Sequence, residues 1–215
     1  MTHFKTSSQR RSNEKLRRKK HIITSARAVF KKEGFIGATM EMVAGRANLA
    51  KGTLYYHFAD KESLLFAVLE EILLEFEVSS KKLFLLPGIS GILTEWGQSL
   101  FRSFRENYEV FTGLRYVVIH RHQKKKSDVS QNCAEAMHSY MRNAAQIIHA
   151  LQERITAADP VYPAFQIAEM LIAVVMGSVI RFVHTDRDTA RVEQSIVSSI
   201  EVLKKGFGII NKEKL

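Results

Sequence analysis

Residues 39–58, TMEMVAGRANLAKGTLYYHF, decide how this chain folds. Thr39 is a good N-cap, its hydroxyl placed to accept from a free N–H of the first turn, and a helix over 40–47 is predicted behind it. Asn48 closes that helix, because Asn tolerates the left-handed conformation better than most non-glycine residues. Leu49 and Ala50 complete the turn, and a second helix of about two turns follows over 51–58. Helix, tight turn, short helix is the arrangement that braces one helix across a DNA backbone while the next enters the major groove.

At about 100° per residue, Leu54 and Phe58 share one face of the short helix, which must be the core face. Gly52, Thr53 and Tyr56 lie opposite, Tyr55 and His57 on the two flanks, and Lys51 at the N-terminal end. Thr53 and Tyr56 are therefore expected at base edges, and Lys51 at a guanine edge or a phosphate. Gly52 lets the backbone approach closely. Tyr55 and His57 are placed to donate to phosphates. Lys61, opening the next helix, adds charge beside the same backbone, and Thr39 adds a hydroxyl with the free N–H groups of the helix it caps. A short aromatic helix is more often plain core, but here the polar groups lie opposite Leu54 and Phe58, not among them.

Charge points the same way. Residues 1–61 hold 14 Lys and Arg against 4 Asp and Glu, which is the whole of the chain's formal +10. Residues 62–215 balance at 18 against 18. Localised positive charge beside a readable helix is the footprint of phosphate grip and base inspection. Upstream, Ile22, Ala26, Val29 and Phe30 recur at helical spacing from Lys19 on; Gly34 ends that helix and Phe35 plugs it. Residues 1–18 have little to bury and read as a flexible basic arm, able to follow the duplex or enter a minor groove, or else a solubilising tail. Asp60 caps a fourth helix running through Leu64, Leu65, Val68, Leu69 and Ile72.

Gly34-Phe35, Thr39 to Ala44, the run Asn48 to Phe58, and Lys61-Glu62-Ser63-Leu64-Leu65 together resemble the DNA-binding domain of the tetracycline-repressor (TetR) family, over residues 19–65. The resemblance implies an all-helical homodimer, a one-component transcriptional regulator that is usually a repressor released by a small ligand. It also implies DNA contacts from Thr39, Lys51, Thr53, Tyr55, His57 and Lys61. Three positions depart from the pattern. Ala50 stands where Ser or Thr is frequent, Asn48 replaces the commoner turn glycine, and Gly45 lies mid-helix at about 1 kcal/mol relative to Ala.

Beyond Phe76 the chain reads as long amphipathic helices, with breaks expected at 86–90, near Asn107, and at 123–127, 157–160 and 184–188. The fold class is all-α: a flexible arm (1–18), a helix-turn-helix domain (19–65) and a helical effector-binding and dimerisation domain (66–215). Ala173 and Gly177 on one late helix, and Ile196, Ile200, Leu203 and Phe207 on the last, are the expected dimer faces of a four-helix bundle. A pocket for a small apolar or amphipathic ligand would be lined by Trp96, Phe101, Phe111, Tyr116, Met137 and Met141, with His120 and Glu169 as polar groups.

The same sequence argues against other classes. Cys133 is the single cysteine, so no intrachain disulfide forms, which suits a reducing cytosol. The apolar run 170–180 is too short for a bilayer, which takes roughly 20 residues. His120 and His122 stand at i, i+2 and fall on different faces, so no metal site is expected, and no cofactor. There is no phosphate-cradling glycine loop, HExxH or nucleophile elbow, so the chain is not expected to be an enzyme. An effector-independent architectural DNA-binding protein and a helical protein-interaction module remain the alternatives; one short protected inverted repeat, uniform protection, or no DNA binding separates the three.

Overall fold

The structure is a computed structural model and describes residues 7–85, 89–121, 169–170, 173–175, 177–178 and 188–206. It is all-α, with no strand among the described residues. The elements are α1 (Ser7–Gly37), α2 (Met40–Arg46), α3 (Lys51–His57), α4 (Lys61–Lys81) with a 3-10 turn at Lys82–Leu85, α5 (Ile89–Glu106), α6 (Tyr108–Arg121) and a last helix, α7 (Thr189–Gly206). No described helix is long and apolar enough to cross a membrane.

Local capping sets the starts of α2, α4 and α7. Met42 N–H donates to Thr39 Oγ1 at 3.2 Å, and Ser63 N–H donates to Asp60 Oδ1 at 2.7 Å while Asp60 N–H reaches back to Ser63 Oγ at 3.3 Å. The reciprocal pair is a capping box with Ser in the usual Glu place. Asp188 starts α7 by accepting from Ala190 and Arg191 N–H. Gly34 bends α1 at φ 68, ψ 160, a region open essentially to glycine alone. Asn48 has φ 51, as expected of the turn.

Residues 7–18, expected as a flexible arm, are helical: α1 starts at Ser7. From Gln9 to Lys20 there is no Gly or Pro, the composition is rich in good helix formers, and Arg18 pairs with Glu14 one turn earlier at 3.2 Å. Local propensity and continuity with a buried helix outweigh the absence of anything to bury.

The described residues gather into two compact units, one within Met1–Glu71 and Asn107–Asn132, the other within Ile72–Glu106 and Cys133–Leu215. In the first, Ile22, Ala26, Phe30, Leu54, Leu64 and Leu65 are fully buried. Here α6 lies on α1: Arg27 Nε donates to the buried Asn107 Oδ1 at 2.9 Å. Phe35 sits so tightly on Gly113 that a Cβ there would meet the Phe35 Cβ at 2.5 Å and Cγ at 2.7 Å. In the second unit, α5 packs on α7. Ile196 and Ile200 are fully buried over Gly97, where an added Cβ would strike the Ile200 Cδ1 end. The Lys204 ammonium, also buried, reaches Thr94 Oγ1 at 3.2 Å and the Glu201 carboxylate.

Candidate nucleic-acid interface

The turn between α2 and α3 is fixed by backbone alone. Asn48 N–H reaches Gly45 O at 3.2 Å and Leu49 N–H reaches Ala44 O at 2.9 Å. No side chain caps α3: Ala50 makes no such bond, and its carbonyl accepts from Thr53 and Leu54 N–H. Leu54 and Phe58 point into the core as their spacing requires. On the opposite side Tyr56 is 73% exposed and Tyr55 47%, with Thr53 half-buried between them and Lys51 and Gly52 exposed. A Cβ at Gly52 would meet nothing among the described residues, so packing against them does not require glycine at that position.

Lys51 Nζ pairs with Glu41 at 2.9 Å, both ends exposed. That hydrogen bond first, then a backbone bond and the Lys51 charge, holds the Glu41 carboxyl below its ordinary range. Thr39 is exposed and its hydroxyl is occupied as the α2 cap. The α2–α3 hairpin is also tied to α1, where His21 Nε2 lies 3.1 Å from Ala47 O.

Lys61 is placed otherwise than its sequence role suggested. Its ammonium donates to Phe35 O at 2.8 Å, Ile36 O at 3.2 Å and Ala38 O at 2.8 Å, and stands 4.6 Å from the Phe35 ring centroid. Burial lowers its pKa against a smaller opposing effect of Glu62. The three carbonyls at the α1 bend need donors, and Lys61 supplies them. Its position is therefore that of a cap holding the entry to α2.

Sequence reasoning did not foresee what α1 adds. Lys15 Nζ lies 5.4 Å from the Tyr56 ring centroid and Lys19 Nζ 5.8 Å from that of Phe58. The His57 imidazole is pushed below its ordinary pKa by burial first, then by the charges of Lys15, Arg18 and Lys19. The available signal was the spacing of these three cations on one helical face.

The expected ligand residues fall in different units or outside the described residues. Trp96 and Phe101 are buried in α5 of the second unit, and the Trp96 ring meets Phe76 edge-on at 6.1 Å. The buried Trp96 Nε1–H has no hydrogen-bond partner among the described residues. Phe111 and Tyr116 belong to the first unit, Tyr116 half-exposed against Phe35 at 6.3 Å. Glu169 is exposed. Met137, Met141, Cys133, Phe207 and the side chain of His120 lie outside the described residues. The expected dimer face on α7 needs correction. Ile196 and Ile200 are core residues against α5 of the same chain, because an apolar stripe is buried by whichever surface reaches it, and Gly97 leaves room for this one.

Residues 22–68 match the family described as bacterial regulatory proteins, tetR family. The transcriptional repressor NicS of Pseudomonas putida is 36% identical over 73 residues, 34% of this chain and 34% of NicS. The match thus spans about a third of that relative's length. Among solved structures, a TetR-family transcriptional regulator from Mesorhizobium loti is similar with a TM-score of 0.70 at 20% identity, covering 89% of this chain and 96% of that one. The Thermus thermophilus TetR-family repressor FadR, in complex with lauroyl-CoA, gives 0.65 at 14% identity, covering 92% and 98%. The shared fold is an N-terminal helix-turn-helix domain followed by a helical domain.

Proposed function

We propose that this chain, a member of the tetR family of bacterial regulatory proteins through residues 22–68, is a cytoplasmic, non-enzymatic transcriptional regulator: a homodimeric repressor that binds a palindromic operator and is released by a small effector. One observation carries the DNA reading. Tyr56, Tyr55, Thr53 and Gly52 face outward from α3 while Leu54 and Phe58 are buried, on the segment that holds the chain's entire charge excess. Thr53 and Tyr56 read base edges, Lys51 reaches a guanine edge or phosphate once released from Glu41, and Tyr55, His57 and the Thr39 end of α2 position the duplex. Lys61 acts by holding the α1–α2 junction.

For the body, the reading is an effector site within residues 66–215 for an apolar or amphipathic ligand. It is supported by the aromatic core around Trp96 and by the lauroyl-CoA held by the similar FadR. For the dimer, Ala173 and Gly177, both exposed, with the outward side of α7 around Ser198 and Val202, offer the close approach that the buried Ile196 stripe does not.

Selection from a randomised duplex pool, followed by footprinting, tests the proposal. One short inverted repeat is the expected outcome, and Tyr56→Ala should cost about 1–3 kcal/mol on it while relaxing base preference. Uniform protection of all sequences, or an unaltered preference in Tyr56→Ala, refutes the assigned reading face.

A further inference from the structure

Between Thr39 and Phe58, Glu41 is the one acidic side chain. It stands in the first turn of α2, and its Oε1 lies 2.9 Å from Nζ of Lys51, which opens α3; both side chains are exposed. Water screens such an ion pair, so it adds little to stability, and backbone bonds already fix the turn between α2 and α3. The hydrogen bond from Lys51 keeps the Glu41 carboxyl below its ordinary pKa, so it is an anion when DNA arrives. Every phosphate repels a carboxylate placed there. Once Lys51 turns to the duplex, Glu41 weakens binding unless another donor takes the place of Lys51. One turn on, at i+4 and on the same flank of α2, stands Gly45. It is exposed and helical, its φ is not positive, and a Cβ on it would meet nothing among the described residues. Glycine weakens a helix relative to alanine, and no described neighbour requires it here. Bare backbone beside a polar pair lets a surface from outside come close.

We propose that Glu41 is a specificity residue: with Lys51 it reads a single G·C base pair of each half-site, Glu41 accepting from cytosine N4 while Lys51 donates to guanine O6 or N7. The inference rests on the DNA-binding reading above and deepens it, adding a residue on α2 and naming the base pair. In the major groove a G·C pair gathers its acceptors on guanine and its donor on cytosine. An A·T pair sets the adenine N6 donor between two acceptors, adenine N7 and thymine O4. A cation and an anion side by side match the first edge; the second turns acceptors towards the carboxylate. On a matching site the duplex opens the Lys51–Glu41 ion pair, and each partner exchanges the other for a base. Orientation is fixed as well, with guanine towards α3 and cytosine towards α2. If the base pair is reversed, Glu41 faces the guanine acceptors. Glu41 therefore discriminates mainly by repelling the wrong sequences, as well as by binding the right one.

The test uses the full chain and fluorescence anisotropy. Duplexes selected by wild type from a randomised pool should hold a fixed G·C pair in each half-site. Reversing that pair, or replacing it by A·T, should weaken binding about 5- to 150-fold, the range for one well-matched base contact. The contribution of Glu41 is isolated by pairing the same guanine with 2-pyrimidinone, a cytosine analogue without the N4 amine. Wild type should lose affinity on that duplex, whereas Glu41→Ala should bind it and the parent duplex alike. On mixed-sequence duplexes Glu41→Ala should bind more tightly than wild type, with a log–log salt slope steeper by about 0.9, because Lys51 is then free to take a phosphate. Gly45→Ala should melt above wild type, since alanine favours the helix, and yet bind the selected duplex more weakly. The proposal is overturned if the selected sites hold no fixed G·C pair, or if wild type and Glu41→Ala lose equally on the amine-free duplex. It is also overturned if Glu41→Ala gains nothing on mixed sequence, or if Gly45→Ala binds as tightly as wild type. If wild type binds no duplex at any salt, the DNA-binding reading itself fails, a result distinct from all of these.

Discussion

Replacing Lys61 by Met keeps the length and apolar stem of the side chain while removing its three donors. The ammonium bonds three carbonyls at 2.8, 3.2 and 2.8 Å. Charged hydrogen bonds contribute about 1.5–3 kcal/mol each when isolated, but these share one ammonium, and water reaches at least the Ile36 carbonyl. The combined loss should therefore be about 2–4 kcal/mol, or roughly 5–15 °C in Tm for a chain of this size. Thermal melts followed by circular dichroism measure the first effect, and duplex titrations over a salt series measure a second. If Lys61 is a cap, Lys61→Met melts early while its salt slope stays at the wild-type value. If Lys61 instead grips a phosphate, the slope falls by about 0.9 with little change in Tm, and the reasoning from the three carbonyl contacts is refuted.

Gly113→Ala and Gly97→Ala should differ in a melt. At Gly113 the obstacle is the inner part of Phe35, which is held by the backbone, and about 1–3 kcal/mol of overpacking is expected; at Gly97 it is the free end of Ile200, and the loss should stay under about 1 kcal/mol, the scale of a small rotamer shift. Gly34→Ala forces a side chain into φ 68, ψ 160 and should lose about 1–3 kcal/mol; an unchanged Tm would show that the bend is not held in solution. Thr39→Ala removes the α2 cap and should cost about 1 kcal/mol, measured by urea denaturation. Without DNA, stability should decline as pH falls from above the ordinary 6.5 of His57 through its lowered folded pKa. The unfolded chain binds the proton more readily across that window, so stability falls with falling pH, and His57→Gln should remove that part of the profile.

What the sequence revealed divides along the range of the interactions. Thr39, Asn48 and Asp60 act on backbone within three residues of themselves, and the structure shows each in its expected conformation or bond. The inward Leu54 and Phe58 and the outward Tyr56 follow from helix geometry alone. Lys61 did not, because its partners lie 23 to 26 residues away. Nor did the two faces of α7: spacing identifies an apolar stripe but not whether the same chain or another copy covers it. The first turns of α1 are helical without burying anything, so burial is a poor guide there and local propensity the better one. The contacts of Lys15 and Lys19 with the Tyr56 and Phe58 rings join residues about 40 positions apart and are not legible in the sequence. The charge excess is legible from counting, while internal pairs within it, such as Lys51–Glu41, are not.

Trp96 is the chain's only tryptophan, and it is buried in the second unit with its indole N–H unengaged among the described residues. Tyr55 and Tyr56, exposed on α3, absorb little at the red edge where indole is excited. Emission from this protein is therefore a single-site optical reporter of the body alone. A molecule that enters beside the indole and offers it an acceptor should shift and quench that emission, while an event confined to α3 should leave it unchanged. Occupancy of the body can thus be followed in an unlabelled sample without interference from events at α3.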